Sequence, residues 1–574
     1  MSNPDIGSVS LNVQDGALGS RIGRGENICA VAGCAEKGPF TLGLFSKASS
    51  LVSLHGFGPA VEKACAFIED TGKPVLFRRL TTSVAGSSSP VDEDFVLGTS
   101  VVTLTGTPRD DYEGRFEVMT GGTIGVVGIV FRYSLDGGRT FSPKIALGTA
   151  ATYLIPNTGL TLNFGAGTLL LGDFALWYST APQWAASEFA TLFNEFKALS
   201  QLWPLLCVVG PAAKTDLDSL ETQVAAYATV TKRYMRTITS ARVPHRAARL
   251  TGNPTVTFAA AGRTATRGTG SWINDGFKVG MMMTVDSALN DWTYEILTVT
   301  ATVITLVVGS TLVDEGPVSG VVATGKETHE KYTSLVRAEF DPFVTKRIGT
   351  SAAAVRAETA ISSHVANWKF RRHPSWPAVT RFFQFGPHES LAKVKNGPLP
   401  SRYQILNKDG KLEEHDSRAE SGLASLDGSN GRFITVQTHD GFGGIYIAVP
   451  SLMHDVGSDF TRVHLGAVMD IACTVAQRTL TLELAADVVL GDDGFITEDA
   501  ANTIERSVNQ RLNQSLLSPP QVKASDAFLV LSRSDQLAVP GTPLTGKLSV
   551  IPLGYTEAIT IDVSFLNPAA AAAA

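Results

Sequence analysis

The sequence is poor in charge, in cysteine and in long apolar runs, and each shortage removes a class of function. Charged residues make up only 18% of its 574 residues, and 54 acidic against 48 basic side chains leave a formal net charge of -6. A nucleic-acid binder carries a basic excess and a membrane-surface protein a basic cluster, so neither direct nucleic-acid binding nor anionic membrane contact is expected. The five cysteines, Cys29, Cys34, Cys65, Cys207 and Cys473, are odd in number and scattered. None has the spacing of a zinc ribbon, and apolar settings such as LLCVVG predict buried free thiols in a chain folded in a reducing cytosol. No apolar run approaches the ~20 residues that cross a bilayer. The start, MSNPDIGSVSLNVQDG, lacks the basic segment and apolar core of a secretion signal. The expectation is a protein made in the cytosol, without membrane insertion.

Motifs of catalysis are missing as well. GALGSRIGRG has spaced glycines but not the G-x-G-x-x-G of a dinucleotide loop, and GFGP fails at Pro59. No phosphate-binding loop and no G-x-S-x-G elbow occurs. His329-Glu330 begins like a zinc-protease helix but has no second histidine four residues on. Asp487 to Glu498 has the length of an EF-hand loop, yet Val489 and Gly491 stand where side-chain oxygens are needed. The pairs Asp110-Asp111 and Asp492-Asp493 sit in turn-like surroundings. His364 and His373, near Arg371 and Arg372, suggest a polar surface. No catalytic residue, metal site or cofactor is expected.

What is present is a pattern of many strands and a few strong helices. A chain this long exceeds one core, so several domains are expected. Residues 1–25 hold an extended strand in which Val9, Leu11 and Val13 alternate with polar residues. Residues 26–90 read as strand (ICAVAGCAEKGP), helix (PAVEKACAFIEDTG) and strand (VLFRRL), a βαβ unit. Residues 91–182 switch to strand alternation, with a hairpin turn at Asp136-Gly137-Gly138. Residues 183–249 return to α/β, with helical rows Phe189, Leu192, Phe193, Phe196, Leu199 and Leu217, Leu220, Val224, Tyr227. Residues 250–328 form a second β segment. Residues 329–553 complete the α/β part. Here a helix is expected over Ser351–Trp368, an irregular stretch over 369–433, helices near Asp459–Thr479 and Glu498–Leu517, and strands at AFLVL and KLSVIPLG. Residues 554–574 end in TEAITIDVSFL, where Ile559, Ile561, Val563 and Phe565 alternate with polar residues. The fold class expected is multidomain α/β (α+β): a discontinuous α/β core, two inserted all-β domains and extended terminal β-arms.

Four stretches carry a resemblance: ICAVAGCAEKGPF with LHGFG and VLFRRL; LWPLLCVVGP with LDSLETQVAAYA; SDFTRVHLGAVMDIACTVAQ; and KLSVIPLGYTEAITIDVSFLNP. In this order they resemble the tail sheath proteins of contractile-tailed phages and related contractile injection systems. The resemblance implies a structural subunit of the virion tail sheath, assembled in the host bacterial cytoplasm. Its implied partners are itself, in stacked hexameric rings, the tail tube protein, and the baseplate and tail terminator proteins. It also implies that the terminal arms, Val9, Leu11 and Val13 at one end and Ile559, Ile561, Val563 and Phe565 at the other, join sheets in neighbouring copies. Gly16, Gly19, Gly23, Gly25 and Gly554 then serve as hinges, and Arg506, Arg511 and Lys523 are candidates to face the tube. The β segments would decorate the outer surface. Alternatives are another virion component, such as a baseplate protein, or a hydrolase with carbohydrate-binding β insertions.

Overall fold

The computed structural model describes residues 28–92, 96–199, 204–405, 422–424, 431–483, 487–519, 522–539 and 542–557. It is a mixed α/β protein with eight α-helices among these residues. Its centre is built, in chain order, from β1 (Cys29–Gly33), β2 (Gly43–Phe45), α1 (Ala48–His55), α2 (Pro59–Thr71), β3 (Val75–Arg79), α3 (Glu188–Ala198), β4 (Leu205–Pro211), α4 (Lys214–Thr231), β5 (Arg236–Ser240), α5 (His329–Phe340) and β6 (Ile348–Ser351). It continues through β7 (Val355–Glu358), β8 (Lys369–Arg372), α6 (Ser375–Phe385), β9 (Tyr403–Ile405) and β10 (Phe433–Ile434). The central sheet runs β2-β3-β1-β4-β5-β6-β10, and every neighbouring pair is parallel except β2 with β3.

A parallel sheet needs cover on both faces, and β1 and β4 are accordingly apolar on both, while β5 and β6 bury threonines and serines as well. Cys29, Val31, Leu205 and Cys207 face one core with α2 and α6, whereas Ala30, Ala32, Leu206 and Val208 face a second core with α3, α4 and α5. The helices follow their sequence signals. Pro59 opens α2 at its first turn, and Gly72, at φ 64°, closes it by donating to the Ile68 carbonyl at 2.8 Å. On α4 the predicted row Leu217, Leu220, Val224 and Tyr227 is buried. The loop at AEKGP is tied to the HGFG turn. Glu36 N–H donates to the Phe57 carbonyl at 3.0 Å, and the Glu36 carboxylate accepts from Phe57 N–H at 3.2 Å. A Cβ on Gly56 would stand 2.4 Å from that carboxylate, so only glycine fits.

Three expectations are corrected. Residues 351–368 are not a helix: β6 ends at Ser351 and β7 follows at Val355. The alanines that suggested helix, Ala352 to Ala354, are fully buried beside the sheet, and Ala353 takes a left-handed φ of 72°. The stretch 369–433 is not merely irregular, because α6 buries Trp376, Val379, Phe382 and Phe383. His364 and Arg372 are interior, not surface. His364 pairs with Glu62 at 2.9 Å, both side chains being 4% exposed. Burial alone would raise the Glu62 carboxyl, but His364 and Arg372 hold it below the usual range.

The strands of residues 87–180 include a five-stranded sheet with its own apolar cluster around Phe116, Phe131 and Trp177. Trp368 and Phe370, at the start of β8, sit in that same cluster. Arg372 of β8 grips Asp110 through two bonds of 2.7 and 2.6 Å, and Arg356 of β7 meets Glu113 at 2.5 Å. Burial would raise Glu113, but Arg246, Arg356 and Arg371 hold its carboxyl down at about 2. The Asp136 turn is wider than a tight hairpin: its carboxylate accepts from Arg139 and Thr140 N–H, and the next paired strand starts at Ile145. Residues 248–326 form an eight-stranded sheet packed on Trp272, Phe277 and Met283. Its two ends are pinned together by Arg242 on Glu327, at 2.5 and 2.9 Å.

Candidate assembly interface

Beyond the central sheet the chain builds a small C-terminal lobe. It comprises α7 (Val463–Leu480), α8 (Glu498–Leu512), β11 (Ala524–Leu531) and β12 (Gly546–Pro552). Helix α7 joins the lobe to the core. Its first turn, at Val463 and Ala467, packs in the central core, and Val468, Ala472 and Ala476 pack in the lobe. Arg236 of β5, 1% exposed, bonds Asp470 at 2.7 and 2.9 Å and the Gly466 carbonyl at 2.7 Å. A Cβ on Gly466 would lie 2.4 Å from the guanidinium carbon, so glycine lets the helix approach. One-sided removal of a buried charge of this kind costs about 3–5 kcal/mol.

On α8 the residues Ala501, Ile504, Val508 and Leu512 form the buried row at helical spacing. The helix then widens into a π-turn, Asn513–Leu517, just before Pro519. Strands β11 and β12 pair antiparallel, with Phe528 opposite Ser549. Ala524, Ala527, Leu529 and Leu531 face the helices, joined by Leu548 and Val550. The outer face carries Phe528, Val530 and Ile551, which are 37%, 49% and 51% exposed. Among the described residues this sheet has two strands and no more. The helices steady the inner face, and Phe528, Val530 and Ile551 on the outer face stand in water beside Asp526, Lys547 and Ser549.

The chain leaving β12 is fastened to the core. Glu557 meets Arg462 at 2.8 Å through both carboxylate oxygens. The Tyr555 hydroxyl donates to the His388 carbonyl at 2.6 Å, and its ring stands edge-on to His464, centroids 4.4 Å apart. Burial, with Arg462 and His388 adding to it against Glu389, lowers His464 to about 3, so it is neutral beneath the tyrosine.

The predicted site residues divide into two groups. Val9, Leu11, Val13, Gly16, Gly19, Gly23, Gly25, Ile559, Ile561, Val563 and Phe565 lie outside the described residues. Gly554 is exposed between β12 and the fastened Tyr555, with open space around its Cα. Arg506 and Arg511 are exposed on α8 but about 140° apart around its axis. Lys523 is half-buried after the π-turn, where its N–H donates to the Leu516 carbonyl at 2.6 Å. The residues that sequence reasoning missed are the fastening pair Arg462 and His464 and the α8 side chains that reach β11. The strands predicted at AFLVL and KLSVIPLG pointed toward this hairpin.

Among the described residues, no group of histidine, cysteine and carboxylate side chains could hold a metal ion, and no helix is long and apolar enough to cross a membrane. No protein-family model matches the chain, and no curated protein matches it. Among solved structures it is similar to a sheath tail protein from Listeria innocua, at 10% identity and a TM-score of 0.36, over 92% of this chain and 96% of that one. It is similar to a chain of the anti-feeding prophage baseplate, at 8% identity and a TM-score of 0.43, over 99% of this chain and 100% of that one. A third likeness, at 9% identity and a TM-score of 0.35, is to the contracted sheath complex of an extracellular contractile injection system, over 68% of this chain and 76% of that one. The solved structures it resembles thus include tail sheath proteins and a contractile injection system sheath.

Proposed function

We propose that this chain is a structural, non-catalytic subunit of a contractile tail sheath, which polymerises when terminal strands of one copy join the β11–β12 hairpin of another. The observation that carries the proposal is that hairpin: two strands among the described residues, exposed Phe528, Val530 and Ile551 on its outer face, and a mount on the core through Arg236 and α7. Both ends of the sequence carry alternating apolar and polar residues, Val9 to Val13 and Ile559 to Phe565, a pattern suited to strand addition. An added strand gains main-chain hydrogen bonds worth about 1 kcal/mol each and roughly 1.5–3 kcal/mol per buried apolar side chain, offset by the cost of ordering it.

In this reading the core and lobe move as one body, and contraction rotates these bodies while the strand connections persist. The glycines near the arms absorb the rotation. Residues 91–182 and 250–328 are β insertions on the outside of the sheath. Of the tube-facing candidates, Arg506 and Arg511 have no ion pair among the described residues, and since they stand about 140° apart on α8, one of the two faces the tube with Lys523. Stacked hexameric rings, a baseplate and a terminator complete the particle. The test is assembly. Full-length protein should form rings or tubes in negative-stain micrographs, and deletion of residues 1–20 or 558–574 should leave folded protein that does not polymerise. Normal tubes from either deletion would refute strand exchange.

A further inference from the structure

The two edges of the β11–β12 hairpin are not equivalent. Ser532 N–H donates to the Thr545 carbonyl, which fixes Phe528 and Val530 as the β11 residues bonded across to β12. The N–H and C=O groups of Ala527, Leu529 and Leu531 therefore point away from β12. Side chains already take them. Leu529 N–H donates to Asn509 Oδ1 at 2.7 Å, and Asn509 Nδ2 donates back to the Leu529 carbonyl at 3.4 Å. Leu531 N–H donates to Glu505 Oε1 at 2.7 Å, and its carbonyl accepts from Arg533 at 2.7 Å. Ala527 N–H donates to Asp526 at 2.8 Å. Glu505 is held below the usual carboxylate range, first by its bond to Arg533, so it accepts as an anion. On β12 the outward groups belong to Leu548 and Val550, and they have no hydrogen-bond partner among the described residues. Pro552, which has no N–H to offer, stands at the next outward position.

We propose that strand addition is confined to the β12 edge, and that Asn509 and Glu505 are the specificity-determining residues that close the β11 edge. The inference rests on the strand-addition reading above. The occupant is a terminal strand of a second copy of this chain. Residues 1–27 and 558–574, which hold the alternating rows, lie outside the described residues. The root of the second of these is fastened to Arg462 and His464 on the core. A hairpin open on both sides would accept strands in two places and let connections branch. One open edge gives each copy a single, defined acceptor. A strand arriving at β11 must displace the bonds of Asn509 and Glu505, a penalty on the order of a hundredfold in affinity.

Disulfide mapping in assembled full-length protein tests this. One cysteine is placed on the hairpin, either Ser549→Cys on β12 or Val530→Cys on β11. A second is placed in an arm, Ser10→Cys, Asn12→Cys, Thr560→Cys or Ser564→Cys, with the parent chain as background control. The result expected is chain-to-chain cross-linking through Ser549→Cys and background at Val530→Cys. Equal cross-linking through both overturns the edge selectivity and leaves strand addition standing. No cross-link at either, in polymers visible by microscopy, overturns both. Asn509→Ala with Glu505→Ala should then raise the Val530→Cys cross-link by up to about a hundredfold. Asn509→Ala alone, a change well tolerated in a helix, should raise it by about tenfold and keeps the test readable if the double variant misfolds. No rise in a folded variant refutes the role of these side chains.

Discussion

The central sheet and the C-terminal hairpin are built from similar strands and end in opposite conditions. Six strands of the central sheet are buried on both faces, with only the edge strand β2 partly exposed, and ion pairs lock its periphery. The hairpin has one covered face, one exposed apolar face, one edge closed by α8 side chains and one edge open. The difference teaches where stability and assembly reside. The central sheet is saturated, so its residues set the folding free energy. The hairpin is unsaturated, so its residues set what the molecule can join.

The comparison can be broken first in the core. Phe67→Ala, on the buried face of α2, should cost about 3–5 kcal/mol by urea unfolding. Arg372→Ala, which strands Asp110 in the interior, should also cost about 3–5 kcal/mol. A loss below about 1 kcal/mol in either would mean the core is not the source of stability. The hairpin predicts the reverse pattern. Leu548→Pro removes an N–H that has no hydrogen-bond partner among the described residues, together with a partly buried side chain of the lobe, so the central core should stay folded while polymerisation is lost; an unchanged polymer yield would contradict the open edge.

The fastening of the last described segment is sharpened by pH. His464 has its folded pKa lowered to about 3, against an unfolded value near 6.5, so its contribution is complete above pH 6.5 and is lost as pH falls toward 3. Lowering the pH from 7 to 5 should remove about 2 kcal/mol through His464, and His464→Phe should shrink the pH dependence of thermal melts by that share, leaving the part due to His245 and His373, both lowered to about 4 by burial. Arg506→Ala and Arg511→Ala should each alter monomer stability by less than about 0.5 kcal/mol, and any effect on tube binding should fade with added salt.

Much of this architecture was legible in periodicity. The row on α4, the helices α2 and α8 and the strands β1, β3, β11 and β12 stand where the sequence patterns predict them. Residues 351–368 misled because alanine-rich composition favours helix, while burial against the sheet favours the extended chain observed. Helix α6 was hidden by its prolines and polar neighbours. The contacts that organise the molecule were illegible for a different reason: Asp110 with Arg372 and Arg236 with Asp470 join residues more than two hundred positions apart. The closed edge belongs to this class too. Glu505 and Asn509 look like ordinary polar positions on α8 until the strand register shows which N–H groups they meet.

Hydrogen exchange at the amides of Leu548 and Val550, compared between dispersed and assembled protein, tests the central claim most directly. Rapid exchange in the single chain and strong protection in the polymer are predicted, with Leu529 and Leu531 little changed between the two. Amides at Leu548 and Val550 that exchange equally fast in both states would contradict the account.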